Sequence, residues 1–333
     1  MRALIIGGTR NLGHLLALDL LESGADVAVL NRGVTPSELP SSIHRLRADR
    51  QDEGALRVAL GAREFDAVID TTLYTGEDAR VIAAMLEGRV GKYVFISTGQ
   101  VYLVREGAPR PATEEDYPGT LIAEPLPGSS DHENWRYGVE KRDAEDALAK
   151  AYRDSRFPFV SLRLPMVNGE RDHYDRLRNY LARLDDGGPI LVPAEGNLSV
   201  RHVYSGDVVR AIRAVLTTPR VEGEAFNISQ EETLPLDGVL ALVARIAGRP
   251  LRVTRVPRAE LEARSLLPEC SPFSGRWMSA LDNRKSVAVL GMRYTPLPEY
   301  LERIVADHRG RGSPAPTGYA RRQAELELAR AGG

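Results

Sequence analysis

The stretch that decides the fold is RALIIGGTRNLG, residues 2–13. It begins with a short apolar run that ends in two isoleucines, which is typical of a buried parallel strand. The run leads directly into a turn that begins with Gly7-Gly8 and ends at Gly13. Glycines in such a turn let the backbone approach a pyrophosphate, and the N-terminus of a following helix stabilises the negative charge.

The residues after this turn complete a strand–turn–helix–strand unit. Leucines recur at helical spacing between Leu12 and Leu21, and Ser23-Gly24 ends that pattern. A second apolar run follows at Val27–Leu30. A strand, a glycine turn, a helix and a strand within about 30 residues form the context that a dinucleotide-binding unit needs.

Strand and helix patterns continue to alternate along the chain. The alternation predicts an α/β fold, a Rossmann-type doubly wound parallel sheet with helices on both faces. Residues 103–134 are rich in Pro, Gly and acidic residues without a period, which predicts a long loop near the mouth of the site. Further strands are expected near Ile43–Leu46, Ala67–Ile69, Tyr93–Ile96, Phe159–Leu162 and Ala225–Ile228, and helices at Glu77–Leu86 and Tyr137–Tyr152.

The later part of the chain predicts a second, smaller lobe of mixed α/β structure that binds the substrate. The dinucleotide-binding domain is expected to comprise residues 1–164 and about 201–230. The substrate-binding lobe is expected to comprise about 165–200 and 231–312. Residues 309–314 mark a break, and 313–333 are expected to form a C-terminal tail with a helix at Tyr319–Arg330 and a frayed Gly332-Gly333 end.

The segment YGVEK, residues 137–141, places a tyrosine and a lysine four residues apart. On a helix, positions i and i+4 share a face, so the phenol of Tyr137 and the ammonium of Lys141 point into the same space. A nearby cation lowers the pKa of a phenol, which makes it a proton donor and acceptor near neutral pH. Because the chain has only four lysines, chance would give about 0.14 such pairs. The alternative is a solvated helix with an incidental pair.

The glycine turn and the Tyr-Lys pair together resemble the short-chain dehydrogenase/reductase superfamily. The closer resemblance is to its extended and atypical branches, the NAD-dependent epimerase/dehydratase family. Gly7 and Gly13 match the outer glycines of the family's motif, and Arg10 replaces the middle glycine, as in the atypical branch. The later landmarks that match are Leu162–Pro165, Asp207-Val208 and Phe226–Ile228.

This resemblance implies roles for individual residues. Tyr137 and Lys141 match the catalytic pair, and Thr98 matches the catalytic Ser or Thr that hydrogen-bonds the substrate. Lys141 would also hold the nicotinamide ribose, and Asp49 matches the acid that contacts the adenine amino group. The cofactor-binding residues implied in this way are Gly7, Thr9, Arg10, Asn11, Leu12, Gly13, Asn31, Arg32, Asp49, Thr71, Tyr137, Lys141 and Pro165.

The end of the second strand indicates which dinucleotide is bound. An acid at this place usually holds the ribose hydroxyls of NAD. This chain instead has Asn31-Arg32-Gly33, where no carboxylate repels a 2′-phosphate and Arg32 is able to bind one. Arg10 lies in the glycine turn, where related reductases also place a phosphate-binding arginine. The pattern favours NADP and leaves NAD open.

The resemblance implies hydride transfer between nicotinamide and a hydroxyl or ketone carbon of a sugar-like molecule. Family 4,6-dehydratases carry an acidic pair after the catalytic Thr, whereas this chain has Gly99 and Gln100, which disfavours dehydration. Oxidation, reduction and epimerisation remain open. Relatives that bind nucleotide-linked sugars hold the diphosphate with an Arg at the position of Val200, so a nucleotide-linked substrate is in doubt. Substrate contacts are expected from Gln100, Asn168, Arg171 and Arg201.

Composition limits the other function classes. A net charge of −2 gives no basic surface for strong nucleic-acid binding. Cys270 is the sole cysteine, which excludes an intrachain disulfide and is consistent with a reducing compartment. Because no signal peptide or membrane-spanning apolar run is found, we expect a cytoplasmic protein, for which a homodimer is one option.

A metal site and an RNA-binding function are the remaining alternatives. Asp131-His132-Glu133 and Asp172-His173 lack the spacing of a zinc site, so no metal is expected. The glycine turn and the Asn-Arg-Gly strand end also resemble chloroplast stem-loop-binding proteins of the atypical branch. A catalytically idle protein that binds RNA or a partner is therefore the alternative function, although an intact Thr98, Tyr137 and Lys141 set argues against it.

Overall fold

The computed structural model describes residues 1–195, 199–310 and 315–331. The expected frayed end, Gly332-Gly333, and residues 311–314 of the expected break lie outside this described part. The chain divides into two compact units. The first unit comprises Met1–Pro165, Ser205–Ser229 and Leu281–Arg293, and the second comprises Met166–Tyr204, Gln230–Ala280 and Tyr294–Gly333.

The strands and helices of the described residues follow in chain order. The strands are β1 Arg2–Ile6, β2 Asp26–Asn31, β3 His44–Arg47, β4 Phe65–Asp70, β5 Val90–Thr98, β6 Phe159–Leu164, β7 Val167–Asn168, β8 Ile190–Pro193, β9 Ser199–Val200, β10 Val203–Tyr204, β11 Ala225–Asn227, β12 Leu234–Pro235 and β13 Val253–Val256. The helices are α1 Asn11–Glu22, α2 Glu53–Leu60, α3 Gly76–Leu86, α4 Gln100–Leu103, α5 Ser130–Ser155, α6 Arg176–Asp185, α7 Ser205–Thr217, α8 Leu236–Ala247, α9 Arg258–Ala263, α10 Arg284–Leu290, α11 Leu297–Gly310 and α12 Arg322–Ala331.

Within the described residues, the first unit is built on a seven-stranded sheet in the order β11-β6-β5-β4-β1-β2-β3. Every neighbouring pair is parallel. Buried side chains such as Leu4, Val68 and Phe95 on one face pack against α2, α3 and α5. Helices α1 and α7 pack against each other. The predicted α/β class with a Rossmann-type parallel sheet is confirmed.

The parallel register brings several predicted site residues to one edge of this sheet. Ile6 at the end of β1 pairs with Leu30 of β2 and with Asp70 of β4, and Thr98 of β5 pairs with Leu164 of β6. Because parallel strands end at the same edge, ligands of such sheets bind there. The residues that end or directly follow these strands are Gly7, Asn31, Thr71, Thr98 and Pro165.

Helix α5 begins seven residues earlier than the sequence predicted. Ser129 caps it, since its Oγ accepts a hydrogen bond of 3.1 Å from the backbone N of His132. Asp131 and Glu133 in the first turn add the negative charge that a helix N-terminus favours. The expected loop at 103–134 therefore ends at Ser129. The hydrophobic pattern did not indicate this end, because the start of α5 is defined by capping residues.

The second unit has its own core, built mainly by α6, α8 and α11. Tyr180, Leu240 and Ile304, one from each helix, lie in one cluster of buried side chains. The strands of this unit form two-stranded pairs, with β8 parallel to β13, β7 parallel to β10, and β9 antiparallel to β12. The smaller lobe is thus of mixed α/β structure.

Two segments belong to units other than the ones expected. Residues 281–293 lie in the first unit, where Lys285 Nζ donates to the carbonyl oxygen of Ala225 at 2.9 Å. The C-terminal helix α12 is part of the second unit rather than a tail. Its Glu325 carboxylate, 1% exposed, accepts a 2.9 Å bond from Nε of the fully buried Arg183. Both placements depend on polar contacts between residues far apart in sequence.

Candidate cofactor and catalytic site

The turn after β1 contains two positions that only glycine fits. Gly7 has φ +108°, and a Cβ there would lie 2.1 Å from Oγ1 of Thr71. A Cβ on Gly13 would lie 2.5 Å from the Cα of Gly8. The start of α1 is therefore packed directly against the turn. The backbone of residues 7–13, which includes the first turn of α1, is called the glycine cradle below.

The N-terminus of α1 has the properties of a phosphate site. Arg10, the N-cap residue, makes no side-chain capping hydrogen bond, and the first turn from Asn11 contains no acidic residue. The first N–H groups of a helix have no partner within the helix, and they favour an anion. Thr9 is half-buried and Leu12 is buried beside them. This cradle fits a dinucleotide pyrophosphate.

The end of β2 carries the residues that the sequence assigned to the adenosine ribose. The Oδ1 of Asn31 accepts a 2.8 Å bond from the backbone N of Gly33, which stabilises the turn. Arg32 is well exposed, and its Nη1 lies 3.9 Å from Oδ2 of Asp49. Arg10 is also exposed. The charged groups named here are thus two guanidiniums, of Arg10 and Arg32, and one carboxylate, of Asp49.

Thr98 and Gln100 lie where β5 ends and α4 begins. The Oγ1 of Thr98 accepts a 3.3 Å bond from the backbone N of Gln100. The Nε2 of Gln100 donates to Oδ1 of Asn134 at 2.9 Å, and Asn134 lies on α5 one turn before Tyr137. Gln100, two residues after the predicted catalytic threonine, thus contacts the helix that carries the predicted acid/base. The contact is made through Asn134, which the sequence did not single out.

Lys141 connects α5 to strand β5 and to the loop after β4. Its side chain is 3% exposed, and Nζ donates to the carbonyl oxygens of Leu73 at 2.6 Å and Ile96 at 2.9 Å. Nζ also lies 4.8 Å from the ring centroid of Tyr74 and 5.8 Å from that of Tyr137. Since Ile96 precedes Thr98 by two residues on β5, one buried ammonium fixes the helix of Tyr137 against the strand of Thr98.

Burial also changes the ionisation of this lysine. Removal from water lowers the pKa of Lys141 to about 7, and the negative charge of Asp70 offsets part of that effect. The ammonium is therefore present for only part of the time near neutral pH.

Gly138, directly after Tyr137, lets α5 approach α4 closely. A Cβ at this position would lie 2.7 Å from Cγ1 of Val104 and 2.9 Å from the backbone oxygen of Gln100. The sequence pattern assigned no role to this glycine. A glycine within an otherwise helical pattern was the signal that indicated close packing.

A buried ion pair anchors α5 one turn beyond Lys141. Glu145 accepts a 2.6 Å bond from Nη2 of Arg163 on β6 and a 2.5 Å bond from Ser97 on β5. Arg163 Nη1 in turn donates to the hydroxyl of Tyr102 at 2.7 Å. The sequence analysis missed this network, although the i+4 spacing from Lys141 to Glu145 was visible.

The other three predicted substrate residues lie in the second unit. Asn168 is buried, and its Nδ2 lies 2.9 Å from Nδ1 of His202, whose pKa burial lowers to about 3. Arg171 is half-buried in the segment before α6. Arg201 Nη1 donates to the carbonyl oxygen of Glu231 at 3.0 Å and also to the hydroxyl of Thr233. The guanidinium of Arg201 is thus engaged within its own unit.

The described part of the chain contains neither a metal-binding cluster nor a membrane-spanning helix. There, no three His, Cys, Asp or Glu side chains lie together in a way that could hold a metal ion. No helix of the described residues is both long and apolar enough to cross a bilayer.

The sheet, the glycine cradle and the Tyr-Lys helix agree with a family comparison. Residues 3–229 match the model of the NAD dependent epimerase/dehydratase family. The chain belongs to this family. The family assignment made from the sequence is confirmed.

Two curated relatives show what other proteins with this sequence pattern do. A 2′-dehydrokanamycin reductase from Streptomyces kanamyceticus is 25% identical over 323 residues, which cover 95% of this chain and 82% of the relative. The chloroplast stem-loop binding protein of 41 kDa b from Arabidopsis thaliana is 28% identical over 264 residues. That match covers 75% of this chain and 64% of the Arabidopsis protein.

A solved structure shows the same fold. The UDP-glucose 4-epimerase of Thermus thermophilus, in complex with NAD, superposes with a TM-score of 0.71 at 23% identity. The superposition covers 93% of this epimerase/dehydratase family member and 100% of the Thermus chain.

Proposed function

We propose that this protein is an NADP(H)-dependent oxidoreductase that interconverts a ketone and a hydroxyl on a sugar-like small molecule, with Tyr137 as the acid/base. The observation that carries this proposal is the double hydrogen bond of Lys141. It holds the helix of Tyr137 against the strand of Thr98. A catalytically idle family member would not need a buried ammonium, which is costly to bury, at this place.

The cofactor is proposed to bind along the sheet edge. The backbone from Gly7 to Gly13 and the first turn of α1 would hold the pyrophosphate. Asn31 and Arg32 would contact the adenosine ribose and its 2′-phosphate, and Asp49 the adenine amino group. Thr71, Pro165 and Lys141 would lie along the nicotinamide half. NADP is favoured because no acid ends β2, and NAD remains the alternative.

The proposed chemistry needs three protein groups. The hydroxyl of Thr98 donates a hydrogen bond to the substrate oxygen and orients it. The phenol of Tyr137 gives its proton to that oxygen during reduction and takes one back during oxidation. The ammonium of Lys141 stabilises the phenolate that remains. The nicotinamide, when bound, supplies or accepts the hydride at the neighbouring carbon.

Water elimination is disfavoured in this proposal. Elimination needs a further acid/base beside the catalytic threonine, and the two positions that follow it are Gly99 and Gln100. The side-chain amide of Gln100 is engaged with Asn134 and does not transfer protons at neutral pH. Reduction, oxidation and epimerisation need only the Thr98, Tyr137 and Lys141 set.

The substrate is proposed to be a ketosugar that need not carry a nucleotide. Val200, at the place where relatives have a diphosphate-binding arginine, is buried and pairs with Leu234. Arg201 beside it is engaged with the segment at Glu231. A relative whose match covers 95% of this chain is a 2′-dehydrokanamycin reductase. Net reduction is therefore preferred to epimerisation.

Incubation with NADPH and a panel of ketosugars, 2′-dehydrokanamycin among them, tests the reaction class. A reductase consumes NADPH and forms an alcohol that is two hydrogens heavier by mass spectrometry. An epimerase converts one stereoisomer into another without net NADPH use. A product that has lost water would contradict the proposal.

RNA binding is the competing function, and one relative is named for stem-loop binding. A net charge of −2 provides little phosphate neutralisation, which RNA affinity requires. A gel-shift with structured RNA at physiological salt separates the two functions. We expect no shift at micromolar protein.

A further inference from the structure

Arg47 lies directly against the turn that follows β2. It ends β3, and the strand register pairs it with Asn31 at the end of β2. A Cβ on Gly33 would lie 3.1 Å from the Nε of Arg47. Since Gly33 has φ +73°, glycine is favoured at this position by its backbone as well as by the neighbouring guanidinium. Gly33 thus makes room for Arg47 beside the proposed ribose-binding turn.

The guanidinium of Arg47 differs from those around it. Arg45, two residues earlier, uses Nη1 to bind the hydroxyl of Ser37 at 2.6 Å and Nη2 to bind the carbonyl oxygen of Leu39 at 2.9 Å. Arg50 forms a two-bond pair with Asp70. Among the described residues, the guanidinium of Arg47 has no hydrogen-bond or ion-pair partner, and this side chain is exposed.

We propose that Arg47 is a second arm of the site for the 2′-phosphate of NADP, opposite Arg32. This inference rests on the proposed NADP-dependent function. Arg32 directly follows β2 and Arg47 ends the adjacent parallel strand β3, so both lie at the edge where the adenosine ribose is proposed to bind. A guanidinium presents a planar fork of donors that matches phosphate oxygens.

The charges near Arg32 explain why this arginine alone would attract the 2′-phosphate only weakly. The carboxylate of Asp49 lies 3.9 Å from Arg32 and weakens the attraction of that arginine for an anion. A phosphate monoester carries nearly two negative charges at neutral pH. Arg47 adds an uncompensated positive charge on the other side of the turn, which restores a net attraction. NAD lacks the 2′-phosphate and would gain nothing from Arg47.

Titration of NADP and NAD against the full-length protein, read by calorimetry, tests this assignment. Arg47→Ala should weaken NADP binding by about ten- to a hundred-fold, the loss expected for a charge-assisted hydrogen bond, and change NAD binding by less than about twofold. Arg45→Ala is the matched control, since it removes the same charge from the same strand, and it should preserve the NADP preference. Arg47→Lys should recover part of the affinity, because it keeps the charge without the fork.

The outcomes separate this inference from the proposed function. If the parent binds NADP and NAD equally, both the NADP preference and the role of Arg47 are wrong. If the parent prefers NADP and Arg47→Ala keeps the full preference, only the role of Arg47 is overturned. Equal weakening of both dinucleotides in Arg47→Ala would also overturn it, because it would indicate a structural role. Arg47→Gln, with a polar side chain of similar length, repeats the test if the alanine variant is poorly folded.

Discussion

The Nζ of Lys141 lies 2.9 Å from the carbonyl oxygen of Ile96, two residues before the strand of the sheet ends at Thr98. One side chain thereby couples the helix of the proposed acid/base to the strand of the proposed substrate-orienting hydroxyl. The same ammonium donates to Leu73 in the loop after β4. The helix of Tyr137 is therefore held by two backbone acceptors, one on β5 and one in the loop after β4.

The ionisation of Lys141 should be visible in the pH dependence of stability. The unfolded amine holds its proton up to about pH 10.5, whereas burial lowers the folded pKa to about 7. Between these values the unfolded state binds more protons, so the free energy of unfolding should rise with pH. Because other titrating groups act equally in both proteins, the free energy of unfolding should rise by about 1.4 kcal/mol per pH unit more in the parent than in Lys141→Met. Urea denaturation of both proteins across this window measures the difference. If the free energy of unfolding changes with pH in the same way in both proteins, burial does not lower the pKa of Lys141.

The close packing at Gly138 should be required for turnover. Gly138→Ala places a methyl group 2.9 Å from the backbone of Gln100, so α5 must move away from α4. We expect turnover to fall by about ten- to a hundred-fold through displacement of Tyr137. NADP affinity should change little, because the glycine cradle is untouched. Steady-state kinetics and a cofactor titration give both values.

Gly54→Ala is the matched control for this substitution. Gly54 lies in the first turn of α2, where an added Cβ would approach no described atom closer than 3.4 Å. This variant should keep its turnover and gain stability of about 0.4–1 kcal/mol from reduced backbone entropy. Full turnover in Gly138→Ala would mean that the α4–α5 contact does not position the tyrosine.

The buried pair of Glu145 and Arg163 should make a large contribution to stability. Glu145→Ala leaves the guanidinium of Arg163 buried without its carboxylate, which should cost about 3–5 kcal/mol in the free energy of unfolding. Lys150→Ala removes a more exposed pair with Asp154 on the same helix and should cost less than about 1 kcal/mol. Chemical denaturation compares the two. Similar small losses in both variants would show that the network is not a structural anchor.

Arg32 should contribute to the choice of dinucleotide. Arg32→Ala removes a guanidinium at the end of β2, so NADP should bind about ten- to a hundred-fold more weakly while NAD is nearly unchanged. Calorimetric titration of both dinucleotides gives the ratio. Unchanged NADP binding would leave Asn31 as a plain ribose contact and would support NAD as the physiological cofactor.

The fold and the family could be predicted from the sequence because their signals are local. Residues 2–30 contain a whole strand–turn–helix–strand unit, and each part is encoded within its own segment. The alternation of later patterns then requires a parallel sheet. The start of α5 was placed too late, because Ser129 and the acids after it define that end without any hydrophobic period.

The parts of the site that the sequence could not predict depend on contacts between distant residues. Arg47 comes to lie beside the end of β2 only because β3 pairs with β2. Asn134 contacts Gln100 only because α5 packs beside it. The contact of Glu145 with Arg163 joins residues on a helix and a strand. Arg47, Asn134 and Glu145 lie in no motif, so pattern alone gave no reason to choose them.

The measurement that tests the central claim most directly compares the parent with Tyr137→Phe. Both proteins are titrated with NADP and assayed for NADPH consumption on the ketosugar panel. Phenylalanine keeps the ring beside Tyr74 and Lys141 and removes only the hydroxyl. We predict that the variant binds NADP as the parent does and loses nearly all turnover, because the proton donor is gone. Full turnover in the variant, or failure of the parent to bind either dinucleotide, would contradict the account.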